Sequence, residues 1–249
     1  MNYKYKLNST FLECESFLLE IESYFQKSQT QSIHKARNEL KIIPCKEQST
    51  VVKSFKVPHL LNRIVYTFFR DSKAKKSYEY SLKIGDFTPK PIGYIEFYSS
   101  GLLAKSFFIS EEFAYDFTIR EPLLERDFED KEGVFKAFAA FTLALHQEGI
   151  LHKDYSPGNI LIKKESEGYT FKVVDINRME FKELSDDERL QNFDKLWAKD
   201  DDLRIIIKEY AKLAKMDEDE AVAKALRYSQ KLKDFKNMKK RLKGKPVVD

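Results

Sequence analysis

Leu151-His152-Lys153-Asp154-Tyr155-Ser156-Pro157-Gly158-Asn159-Ile160-Leu161-Ile162 is the stretch that decides how the rest of the chain reads. An apolar run ends in it, His152 and Asp154 stand two apart, and Asn159 follows Asp154 by five positions. A second apolar run then begins, and Val173-Val174-Asp175 closes a further short one. A carboxylate that meets an incoming hydroxyl, followed by an amide and a carboxylate that hold metal, is the spacing of a phosphotransferase using ATP and magnesium.

The flanks suit that role. Before the stretch, Lys131–Gln147 predicts a helix with an apolar face of Val134, Phe135, Phe138, Phe141, Thr142 and Leu145, stopped by Gly149. After it, Leu161-Ile162 and Phe171–Val174 predict short strands around a turn at Glu165–Gly168. From Ser185 onward the pattern is helical, with apolar positions at Leu196-Trp197, at Leu203, Ile206, Ile207 and Tyr210, and at Ala221, Val222, Ala225 and Leu226.

The first 110 residues read differently. Residues 10–27 predict one amphipathic helix capped by Ser9 or Thr10, with Cys14, Phe17, Leu18, Ile21, Tyr24 and Phe25 on its apolar side. The period then changes to two. Ile33–Ala36 is a candidate strand turning at Arg37-Asn38. Leu40, Ile42 and Ile43 predict a second, and Val51-Val52 before Lys53 a third, with Lys46–Ser49 as the turn between these two. Residues 72–84 predict a helix capped by Ser72 and ended by Gly85. Ile92–Tyr98 and Leu102–Ser110 form a hairpin across Ser99-Ser100-Gly101. About five strands and two helices are thus expected before a hinge at Glu111-Glu112-Phe113. The expected class is α+β and two-lobed: a sheet-rich lobe over 1–110 and a helix-rich lobe over 111–249.

With 249 residues, 42% hydrophobic and 34% charged, the chain is long enough for two cores and too apolar to be disordered. Cys14 and Cys45 make neither a metal-ligand spacing nor a disulfide framework, which suits a reducing cytoplasm. No apolar run approaches the ~20 residues that span a bilayer. The net charge of +4 is uneven: Lys231–Lys245 holds eight Lys or Arg against one Asp. That tail is a candidate contact for an anionic membrane surface. Nucleic acid is not expected as a partner.

The chemistry can be assigned by residue. Asp154 orients the attacking hydroxyl and takes its proton. Asn159 and Asp175 are oxygen ligands for magnesium. His152 braces the loop by hydrogen bonding. ATP also needs a cation for its phosphates, and Lys53 on its strand is the candidate, with Lys56 as competitor. Glu79 is the only carboxylate within 72–84 and is the expected partner that aims Lys53.

These residues carry a resemblance. His152-Lys153-Asp154 with Asn159 resembles the H-R-D-x-x-x-x-N catalytic loop of protein-kinase-like enzymes, Val51-Val52-Lys53 their V-A-I-K strand, and Val174-Asp175-Ile176-Asn177 their D-F-G region. More narrowly, the chain resembles the lipopolysaccharide core kinases, the Kdo and heptose kinase branch. Val52-Lys53-Ser54-Phe55, Arg70-Asp71-Ser72-Lys73-Ala74, Thr88-Pro89-Lys90-Pro91-Ile92 and Asp175-Ile176-Asn177-Arg178 carry that likeness, which runs from about residue 37 to 180. The resemblance implies a two-lobed kinase fold, ATP and magnesium. It also implies phosphorylation of a sugar hydroxyl of lipopolysaccharide inner core, lipid-linked, at the cytoplasmic face.

The chain departs from the protein-kinase pattern in several places. Lys153 replaces the Arg that pairs with an activation-loop phosphate in phosphorylated protein kinases. There is no A-P-E, and only a short segment separates Asp175 from the next helix signal at Asp186, which argues against a protein acceptor. No G-x-G-x-x-G precedes Lys53; the turn reads Ala36-Arg37-Asn38-Glu39, so Arg37 or Asn38 is expected to supply side-chain contacts to phosphate. Asn177 stands where D-F-G has its Gly, and Asn tolerates left-handed backbone. Two alternatives use the same residues: a small-molecule or protein kinase of this fold, and an ATP-binding pseudokinase with a regulatory role.

Overall fold

The computed structural model of the chain describes residues 2–29, 34–35, 38–57 and 59–244. The chain falls into two units, Met1–Phe113 and Ala114–Asp249.

In the first unit β1 (Asn2–Leu7) is followed by a 3-10 segment (Ser9–Cys14), α1 (Glu15–Leu19) and α2 (Ile21–Lys27). Then come β2 (His34–Lys35), β3 (Asn38–Ile42), β4 (Thr50–Phe55), α3 (Leu60–Phe68), α4 (Lys73–Ile84), β5 (Pro91–Ser99) and β6 (Leu102–Glu111). The six strands form one sheet in the order β1-β5-β6-β4-β3-β2, and each adjacent pair is antiparallel. The β5–β6 turn uses Ser100 at φ 52° and Gly101 at φ 74°, the pair of left-handed residues that a tight hairpin requires. Leu18 and Ile21 bury against Val52, Ile92, Ile95, Phe107 and Ile109 of the sheet. Leu18 lies close over Gly93, where an added Cβ would stand 2.8 Å from the Lys6 carbonyl and 2.9 Å from Leu18 Cδ2. α4 packs through Ala74 and Tyr78 against Phe55 and Tyr94.

Four expectations need correction here. The helix over 10–27 is three pieces, joined at Cys14 and Glu20, both of which leave helical geometry. Its cap is Asn8, whose Oδ1 accepts from Thr10 N while its Nδ2 donates to the Pro91 carbonyl, so the start of the segment is set by β5. The strand expected over Ile33–Ala36 is His34–Lys35; residues 33 and 36 lie outside the described residues. Cys14 and Cys45 are bonded to each other in a disulfide. Both are buried in the same core, on segments 31 residues apart that only the tertiary fold brings together. In a reducing compartment the same site would hold two buried thiols.

The second unit opens with β7 (Phe117–Thr118), α5 (Arg120–Leu124), α6 (Lys131–Gln147) and β8 (Ile150–His152). It continues with β9 (Ile160–Lys164), β10 (Tyr169–Val173), β11 (Met179–Phe181), α7 (Asp186–Asn192), α8 (Asp200–Ala214) and α9 (Glu218–Leu242). β10-β9-β7 and β11-β8 are two small antiparallel sheets. α6 buries Val134, Phe135, Phe138, Ala139 and Leu143, and Phe138 stacks on Tyr155 at 5.7 Å. Among the described residues no helix is long and apolar enough to cross a membrane.

Candidate active site

The site grows from the turn that ends β8. His152 is buried, and its Nε2 bonds to the Val174 carbonyl at 3.0 Å while its Nδ1 accepts from Asp154 N at 3.2 Å. A ring that donates at Nε2 and accepts at Nδ1 is neutral. Burial pushes its pKa down, which agrees. His152 is therefore a brace between two loops and not a base.

Asn159 is the second tie. Its Nδ2 donates to the Asp154 carbonyl at 2.8 Å, and its own carbonyl accepts from Val174 N at 2.9 Å. The loop of Asp154 and the segment leading to Asp175 are thus held together from both sides. Asn159 spends its NH2 on this bond, so the oxygen Oδ1 is what remains to face a ligand. Asp175 sits at φ 57° and accepts from Asn177 Nδ2 at 2.8 Å. The left-handed residue is Asp175 and not Asn177, a correction to the reading of the turn; Asp tolerates that conformation better than most side chains. An amide oxygen and a carboxylate on two tied loops are hard oxygen donors, the kind magnesium takes. The described residues contain no cluster of three or more His, Cys, Asp or Glu suited to a metal ion. A two-donor protein set fits a cation whose other ligands are phosphate and water.

Asp154 is half-exposed, and Arg178 Nη1 lies 3.5 Å from its Oδ2. Lys153 turns the other way and pairs with Glu180 at 2.9 Å, across the β8–β11 ladder. Arg120 lies over Gly158, where an added Cβ would meet its guanidinium at 2.8 Å. Arg120 was not singled out from the sequence, and Arg178 only as part of a motif; nothing in their spacing marks them.

Behind the loop is a buried polar chain that the sequence reading also missed. Asn192 Nδ2 donates to the His152 carbonyl at 3.0 Å, and its Oδ1 bonds to His146 Nε2 at 3.1 Å. His146 Nδ1 meets the Tyr210 hydroxyl at 2.8 Å. Tyr155 is anchored separately, its hydroxyl 2.8 Å from Thr142 Oγ1. Burial pushes the His146 pKa down to about 4. In the unfolded chain it titrates at ~6.5, so between these values protons favour the unfolded state. Stability is expected to fall as pH drops through that window, by roughly 3 kcal/mol. Urea unfolding from pH 7 to pH 4.5 checks this. His146→Gln keeps one donor and one acceptor and should flatten the slope; an unchanged slope would mean that other groups carry it.

The remaining candidates lie in the first unit. Lys53 is on β4, opposite Leu40 and Phe108, with its Nζ 5.4 Å from the Phe55 ring centre. Glu79 is on α4, and Lys75 approaches its carboxylate at 3.8 Å from one turn earlier. Asn38 begins β3 opposite Phe55. Arg37 lies outside the described residues.

The lipopolysaccharide kinase (Kdo/WaaP) family model matches residues 87–216, which include the whole of the Asp154–Asp175 region. The chain belongs to this family. No curated protein matches it. Among solved structures it is similar to WaaP in complex with acyl carrier protein, at 16% identity and a TM-score of 0.59, over 92% of this chain and 99% of that one. At that identity the likeness concerns the fold, a kinase-like α+β architecture with an antiparallel sheet and helices. Family membership makes the chain a phosphotransferase of lipopolysaccharide biosynthesis.

Proposed function

We propose that the chain is an ATP-dependent kinase that phosphorylates a sugar hydroxyl of the lipopolysaccharide inner core, on Kdo or heptose. The observation that carries this is the double tie, His152 to Val174 and Asn159 to Asp154 and Val174, which holds one carboxylate loop against another within the family region. In this reading Asp154 orients the acceptor hydroxyl. The hydroxyl oxygen bonds to the γ-phosphorus, the bond to the bridging oxygen breaks, ADP leaves and Asp154 takes the proton. Asn159 and Asp175 would hold magnesium, which would neutralise phosphate charge. Lys53 is assigned to the phosphates, with Glu79 aiming it in competition with Lys75. Asn38 and Arg37 are assigned to phosphate contacts in place of glycines.

A lipid-linked acceptor places the chain at the cytoplasmic face of a membrane. The basic end of α9 supports a peripheral contact, since Phe235, Met238 and Leu242 are exposed among its lysines. Acyl carrier protein, the partner of the similar WaaP, is a candidate partner here too. The test offers labelled ATP and magnesium with Kdo-bearing lipid A precursors, heptosylated cores and generic proteins. Label on a core sugar, absent with Asp154→Ala, supports the proposal. Label on protein, or no transfer by the unaltered chain, overturns it.

A further inference from the structure

α3 is amphipathic in the wrong direction for a helix that packs on its own sheet. Its polar side faces the β5–β6 hairpin: Arg63 Nε donates to the Leu103 carbonyl at 2.7 Å, and Arg63 Nη2 reaches the Ser99 and Leu102 carbonyls at 3.3 Å. One turn on, Thr67 Oγ1 accepts from Leu103 N at 2.9 Å while donating to the Arg63 carbonyl. These bonds fix which way the helix is rolled. The apolar residues at i, i+1, i+4 and i+8 are left outside, and none of the nine residues is buried. Leu60 is 62% exposed, Leu61 78%, Phe68 67% and the following Phe69 78%, with Ile64 and Val57 exposed beside them. An isolated exposed leucine is ordinary; a continuous stripe held outward by hydrogen bonds on the opposite side marks a docking surface.

Charge selects the occupant. From Lys56 to Arg70 the sequence holds two lysine or arginine side chains at its ends, Arg63 and His59 between them, and no Asp or Glu. Asp71, the first acid beyond, is paired with Lys75. An apolar stripe bounded by cations, with aromatic rings at one end, matches an anionic bilayer: apolar side chains enter the acyl boundary and Lys56 and Arg70 meet headgroup phosphates. A second copy of the chain would set cations against cations, which disfavours self-pairing.

We infer that α3 is an interfacial helix that seats the sheet-rich unit on an anionic lipid surface. This is a site separate from the basic end of α9. The choice of a bilayer draws on the reading of the acceptor as lipid-linked. Binding is therefore measured without ATP or acceptor, so that either idea can fail alone.

The experiment uses the full chain and sedimentation with vesicles of phosphatidylglycerol and phosphatidylcholine, against phosphatidylcholine alone. Leu61→Ser with Phe68→Ser removes two exposed side chains and leaves the Arg63 and Thr67 bonds in place. It should lower partition onto the anionic vesicles about ten-fold or more. In a second variant, Leu61→Trp, emission beyond that of the native Trp197, taken as the difference from the unaltered chain, should shift to the blue on vesicle addition and be quenched by lipids brominated in their chains. Two results would overturn the inference. One is an unchanged partition in the double variant, which with lost binding to purified acyl carrier protein would assign the stripe to that protein. The other is a residue-61 Trp that stays in water while the chain sediments.

Discussion

Asp154→Ala is expected to reduce phosphotransfer by about a hundred- to ten-thousand-fold while ATP binding changes little. The loop should survive the change, because its geometry is set by main-chain partners. Asp154 N bonds to His152, the Asp154 carbonyl accepts from Asn159, and neither bond needs the carboxylate. What is lost is the proposed proton acceptor and the counter-charge of Arg178, 3.5 Å away. A partly exposed ion pair contributes little to stability, so the melting temperature should stay close to that of the parent chain. The informative readout is kcat with saturating acceptor. A variant that keeps full turnover would remove Asp154 from the reaction.

Asp175→Asn should fail differently. Asn is chosen because the position has φ 57°, which Ala accepts poorly and Asn well. The change removes charge and keeps shape. If Asp175 is a magnesium ligand, turnover should fall by about a hundred-fold or more, and part of the loss should return when magnesium is raised. Asp154→Ala should show no such recovery. Magnesium titrations of the two variants side by side make the distinction. A common response in both would leave no separate metal role for Asp175.

The parts legible in the sequence were those whose signal is local. The α6 stripe, the Ser72 cap, the Ser100-Gly101 turn and the Asp154–Asn159 spacing each describe a few neighbouring residues and their own backbone. The missed parts depend on partners far along the chain. β1 sets Tyr3, Tyr5 and Leu7 on one face and Lys4 and Lys6 on the other, but it is exposed along nearly its whole length; what makes it a strand is pairing with β5. Cys14 and Cys45 sit at a spacing that says nothing until the fold joins them. Asn192 is one asparagine among several, and its role comes from reaching both His146 and the His152 carbonyl. α3 was not expected at all: Leu60–Phe68 starts without a side-chain cap, and none of its residues is buried.

The ion pair between Lys153 and Glu180 bears on how such an enzyme is governed. In phosphorylated protein kinases the cation beside the catalytic aspartate receives its counter-charge from a phosphoryl group placed by another enzyme. Here the chain carries that counter-charge in its own sequence, on the strand paired with the one that ends at His152. The Lys153–Glu180 pair forms as the polypeptide folds, with no added group.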